Sequence, residues 1–110
     1  MKRPTLLLLA PVRPVTDLEH SVSHYRDLGF AVELYDGTYA FARRDAAELH
    51  LALMPDLEPA VGAAAVFLRV DHAEVSATGW DDREPVQTPC GQREGAHMDP
   101  DNNLLRYGSR

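Results

Sequence analysis

A pattern of strand, helix, strand, strand, strand runs from about residue 4 to residue 54 and then starts again. In the first copy Thr5–Ala10 is a continuous apolar run, read as a buried strand. Pro11 and Pro14 end it and keep Val12–Val15 extended. Thr16-Asp17-Leu18-Glu19 has the form of a capping box, with Thr16 at the N-cap and Glu19 reaching back. Leu18, Val22 and Tyr25 fall at i, i+4 and i+7, so a helix with one apolar stripe runs to about Leu28, where Gly29 supplies a left-handed cap. Strands follow at Phe30–Tyr35 and Thr38–Arg43 around an Asp36-Gly37 turn, and Glu48–Met54 alternates leucines with other residues. Pro55–Gly62 reads as a linker.

The second copy has a strand at Ala63–Val70 and a short helix at Asp71–Gly79, with Asp71 as N-cap. Asp81–Thr88 has room for one poor strand, interrupted by Pro85. A hairpin closes the chain, with strands at Arg93–Met98 and Asn103–Tyr107 around Asp99-Pro100-Asp101-Asn102. Pro100 presets φ for the second turn position, and Asn tolerates the left-handed conformation that a later one needs. The fold class is therefore α+β, two βαβββ repeats of about 50 residues with the second compressed. The 110 residues make a single domain: repeat one about 4–54, linker 55–62, repeat two about 63–108.

Charge and composition narrow the function. The net charge of −6 argues against nucleic acid, which requires a basic face. It suits a cationic ligand. Leu6–Ala10 is too short for a membrane span or the core of a signal peptide. The single Cys90 has no internal disulfide partner. A cytoplasmic protein with no membrane partner is expected. Cys90 has no neighbouring base that would make it a nucleophile, and it reads as an ordinary loop residue. His20 and His24 are spaced i, i+4 but lie off the apolar stripe, and they read as solvated surface.

The closing stretch also carries a resemblance. Gly91, Arg93, Glu94, Asp99, Pro100 and Asn103 match a pattern of Trp-Gly-x-Arg-Glu-Phe followed by Asp-Pro-x-Gly-Asn and an apolar strand. Asp17-Leu18, Ser21, Tyr25 and Leu28-Gly29-Phe30 match the first helix of the same group. On these residues the chain resembles the vicinal oxygen chelate superfamily of glyoxalase I, bleomycin resistance proteins and extradiol dioxygenases, closest to the bleomycin-resistance branch. It departs from the pattern at Cys90, Gly95 and Asn102, and the stretch between Trp80 and Cys90 is shorter than usual. The resemblance implies a cupped mixed sheet whose paired repeats enclose a cavity, often across a dimer. The changes at Cys90 and Gly95 imply less bulk near the ligand.

Enzymes of that superfamily hold a divalent metal with His, Gln or Glu on the first and last strands of each repeat. The matching positions here are Ala10, one of Ala63–Ala65, His50 and Arg106. One ligand of four beside a guanidinium does not make a divalent site. The expectation is no metal, no cofactor and no catalytic residue, and an enzyme is the lesser reading.

What remains is a groove for a small, antibiotic-like molecule. By alternation Glu48, His50 and Met54 face the cup, and Tyr39, Phe41 and Arg43 share a face. Leu34 and Tyr39 match groove positions of the bleomycin-resistance branch, and Trp80 closes the second helix. Aromatic faces stack on planar and cationic ligands, while Glu48 and Glu94 supply negative charge. The ligand-binding set is Leu34, Tyr39, Phe41, Glu48, His50, Trp80, Glu94 and Arg106. Each has a plainer structural role open to it: the aromatics as core, His50 as a hydrogen-bonded core residue, Glu94 as a surface partner of Arg93. The implied function is a metal-free homodimer, its first strand exchanged between copies, that sequesters a bleomycin-like or other planar, cationic antibiotic. The alternatives are a metal-dependent lyase, isomerase or dioxygenase of the glyoxalase type, or a small-metabolite carrier.

Overall fold

The computed structural model of the chain describes residues 3–56, 58, 64–71 and 85–109. Repeat one contributes β1 (Val12–Val15), α1 (Leu18–Asp27), β2 (Ala31–Asp36), β3 (Tyr39–Arg44) and β4 (Ala47–Leu53). Repeat two contributes β5 (Ala64–Arg69), β6 (Val86–Gln87), β7 (Arg93–Met98) and β8 (Asn103–Ser109). The expected helix at Asp71–Gly79 lies, apart from Asp71, outside the described residues. Each repeat forms a four-stranded mixed sheet, ordered β1-β4-β3-β2 and β5-β8-β7-β6. In both, the first strand runs parallel to the last and the other neighbours are antiparallel. The expected repeat is thus a repeat of topology, an α+β fold.

Two local expectations are corrected. The first strand is Val12–Val15, not Thr5–Ala10. Val12 pairs with His50 and Val15 with Leu53, at a sheet edge where the missing N–H of Pro14 costs little. Leu6 and Leu7 are 95% and 91% exposed in an N-terminal arm without regular secondary structure, which no described residue covers. The helix N-cap is Asp17, not Thr16. Asp17 is extended (φ −141°) and its carboxylate accepts from His20 N at 3.0 Å. Thr16 is engaged elsewhere: its N–H and hydroxyl both donate to Asp101 Oδ1, at 3.1 and 2.7 Å.

Helix α1 presses Leu18, Val22 and Tyr25 onto the face of sheet one built by Val15, Ala40, Ala42, Leu49 and Leu51, all buried. Each buried leucine contributes roughly 1.5–3 kcal/mol. Gly29 ends the helix at φ +93°, as its position implies.

The repeats join where the closing turn meets β1 and α1. Asp99 Oδ1 accepts from the N–H groups of Asp101 and Asn103, and Oδ2 accepts from Tyr25 Oη (2.7 Å) and Asn103 Nδ2 (3.0 Å). Asn103 Nδ2 also donates to the Pro14 carbonyl, and the buried Arg13 donates to that of Leu104. Burial and the adjacent Asp99 carboxylate push the Tyr25 phenol well above its ordinary range. Asn102 sits at φ +64°, the left-handed turn position expected of it. Of the two histidines read as surface, His20 is exposed, but His24 is half-buried: its Nε2 lies 2.8 Å from Nε2 of the buried His97, and the rings stack at 5.0 Å.

Candidate functional site

The cross-strand register decides which side chains each sheet turns away from the core. On sheet one, Phe41 pairs with His50 and Glu33, and Arg43 pairs with Glu48. Alternation puts these residues together with Tyr39 and Val12 on the face opposite α1. Phe41 packs edge-on against His50 (4.9 Å), Tyr39 (5.6 Å) and Tyr35 (6.2 Å). Arg43 lies over its ring at 5.5 Å. Tyr39 and Phe41 are half-buried and Tyr35 is 72% exposed, so this aromatic group lies outside the core under α1.

Beneath the rings runs a hydrogen-bonded chain. Arg43 Nε donates to Glu48 Oε1, Glu48 Oε2 lies 2.9 Å from His50 Nε2, and His50 Nδ1 lies 2.8 Å from Tyr39 Oη. The His50 and Arg43 hydrogen bonds hold the Glu48 carboxyl below the ordinary carboxylate range, and Glu48 in turn raises the Arg43 guanidinium.

Sheet two has a matching open face. Phe67 pairs with Arg106, and Ala96 lies across from the same arginine. Arg106 Nη2 donates to Glu94 Oε1 at 3.0 Å, so the glutamate's ion-pair partner is Arg106. Phe67 is 44% exposed, with Arg69 over its ring, and Met98 and Val86 are exposed nearby along the strands.

Sequence reasoning therefore placed Tyr39, Phe41, Glu48 and His50 together on one sheet, and the structure joins them directly. Glu94 and Arg106 meet on the other. Leu34 pairs with Ala40, whose side chain is buried under α1, so it sits on the reverse face from Phe41. Trp80 lies outside the described residues. The missing bulk at Gly95 does not open space for a ligand: a Cβ there would come within 2.5 Å of the ring of Tyr107, which is fully buried. Phe67 and Tyr35 were not singled out in advance. The alternation of Ala65, Phe67 and Arg69 with Val66 and Leu68 was the available sign for the first. Tyr35 follows a register shift between Leu34 and Asp36, which simple alternation misses.

The divalent metal of the superfamily's enzymes does not fit these side chains. His50 spends both ring nitrogens on Glu48 and Tyr39, Ala10 offers no donor, and Arg106 brings a positive charge. Among the described residues no three His, Cys, Asp or Glu side chains are grouped to hold a metal. Nor is any helix among them long and apolar enough to cross a membrane.

No family model matches the chain, and no curated protein matches it in sequence. Solved structures do. A bleomycin resistance determinant encoded on the transposon Tn5 superposes with a TM-score of 0.81 at 22% identity, over 96% of this chain and 98% of that one. The bleomycin-binding protein of Streptomyces verticillus, solved with copper(II)-bleomycin, gives 0.79 at 21% identity over 98% and 99%. A glyoxalase/bleomycin resistance protein/dioxygenase from Nocardioides gives 0.73 at 20% identity over 99% and 85%. These likenesses establish the fold and agree with the resemblance in the closing hairpin and first helix.

Proposed function

From the glyoxalase/bleomycin-resistance fold of this chain, we propose that it is a homodimeric binding protein that sequesters a planar, cationic antibiotic of the bleomycin type. The observation that carries this is the aromatic group of Tyr35, Tyr39 and Phe41, turned away from the core and underlain by Glu48. Rings held in T-shaped contact offer faces for planar heteroaromatic systems, and the net charge of −6 favours a cationic partner. Structural neighbours solved as bleomycin-binding proteins support the ligand class. Sequestration requires no chemistry on the ligand, which suits a face whose described residues group no metal-binding donors.

The dimer rests on what one chain leaves uncovered: the arm at Leu6–Leu9 and the open faces around Tyr35 and Phe67. A second copy would place the open face of sheet one opposite that of sheet two and take the arm as an exchanged segment, giving two equivalent grooves. The test is isothermal titration of metal-stripped protein with metal-free and copper-loaded bleomycin. The proposal predicts saturable binding near one ligand per chain, weakened about tenfold or more by Tyr39→Ala. No heat from either form at high protein concentration would refute bleomycin as the ligand and favour a metabolite carrier.

A further inference from the structure

With His50 neutral, the chain Arg43–Glu48–His50–Tyr39 leaves one assignment of protons. Glu48 is ionised and can only accept, so the His50 nitrogen facing it must carry hydrogen: Nε2–H donates to Oε2. The other neutral tautomer would set the Nε2 lone pair against a carboxylate 2.9 Å away. With Nε2 protonated, a neutral imidazole has its lone pair on Nδ1, 2.8 Å from Tyr39 Oη. The phenol O–H then donates inward to Nδ1. Toward the groove Tyr39 presents only oxygen lone pairs.

We propose that Tyr39 Oη is the fixed acceptor of this site, so that the ligand group seated against it is an N–H donor: an amidinium, an amide nitrogen or a protonated amine. Carboxylates and carbonyls meet a lone pair there and are rejected. Arg43 acts from a distance as a positioning residue, holding Glu48 so that Glu48 fixes the tautomer. Phe41, edge-on to both His50 and Tyr39, keeps the two rings in register. The selectivity arises from an unpaired acceptor at the site, which costs binding free energy when a ligand offers it another acceptor. The assignment rests on the reading of this face as the ligand groove, and it specifies what that groove selects.

Two measurements at pH 8 test it. In the free protein, the 15N spectrum of His50 is expected to show Nε2 protonated and Nδ1 bare, with the two forms mixing in Glu48→Gln. Protonation of Nδ1 in the wild type overturns the inference. Benzamidine and benzoate, one ring with opposite hydrogen-bonding character, are then titrated while the resonances of Tyr39, Phe41 and His50 are followed. Benzamidine is expected to shift them saturably and benzoate to leave them in place, and Tyr39→Phe to weaken benzamidine about tenfold. Equal binding of benzoate, or benzamidine affinity unchanged in Tyr39→Phe, overturns it. The outcome is separable from the antibiotic reading. A bleomycin titration without heat leaves the His50 spectrum and the benzamidine preference untouched, whereas bleomycin binding with the opposite tautomer removes this inference alone.

Discussion

Four hydrogen bonds converge on the buried carboxylate of Asp99, from Asp101 N, Asn103 N, Asn103 Nδ2 and Tyr25 Oη. It organises the turn and ties it to α1. Asp99→Ala would strand several buried donors, and we expect a loss of about 3 kcal/mol, seen as a lower denaturant midpoint at unchanged slope. A midpoint within experimental error of the wild type would contradict the role. Gly95→Ala would drive a methyl against the buried Tyr107 ring and cost about 1–3 kcal/mol by the same measurement. Asp99, Pro100 and Asn103 were legible as a motif, because turn chemistry is local. Their work as the joint between repeats was not, since Pro14, Thr16 and Tyr25 are distant in sequence. Gly95 was misread for the same reason: the residue filling its space comes from the next strand.

Among the elements, the contact of α1 with β7 brings His24 against His97 and predicts a pH effect. Desolvation, and then His97, lower the His24 pKa, with His20 adding to this and Asp99 and Asp27 opposing it. In the unfolded chain an imidazole titrates near 6.5. Between that value and the lower folded one the unfolded state binds more protons, so stability from this contact is complete above pH 6.5 and is lost as pH falls through it. Two charged rings could not share the Nε2–Nε2 hydrogen bond. The melting temperature of the wild type should therefore fall more steeply between pH 6.5 and 5 than that of His24→Gln. Parallel curves would remove the claim. Helix periodicity placed α1 within a residue and put Leu18, Val22 and Tyr25 on its buried face. It could not see that His24 looks toward another element. β1 was misplaced because an apolar run ordinarily means burial, and Leu6–Leu9 is apolar yet exposed, with no described residue covering it.

At the scale of the molecule, the accessible surface of 7401 Å² exceeds the ~6,100 Å² typical of a monomer of this mass. The Cα radius of gyration, 15.0 Å, exceeds the ~13 Å of a compact chain this long. The exposed arm at Leu6–Leu9 and the open faces of the two sheets contribute to the excess. Light scattering should give twice the 12.2 kDa chain mass, and Leu7→Asp with Leu9→Asp should shift it toward one. A wild-type monomer at tens of micromolar would contradict the dimer. The doubled four-stranded sheet was legible because strand-like stretches and turn residues recur in the second half of the chain. How two copies meet leaves no such trace, since it depends on surfaces rather than on local order.

The most direct test mixes two defective chains. If each groove combines sheet one of one copy with sheet two of the other, Tyr39→Ala and Phe67→Ala homodimers both bind bleomycin poorly. Unfolded together and refolded, they form heterodimers in which one groove carries both defects and the other carries neither. The account predicts that full-affinity bleomycin binding returns in the mixture, at about one ligand per heterodimer. A mixture that binds no better than its two parents would show that the grooves are not shared between chains.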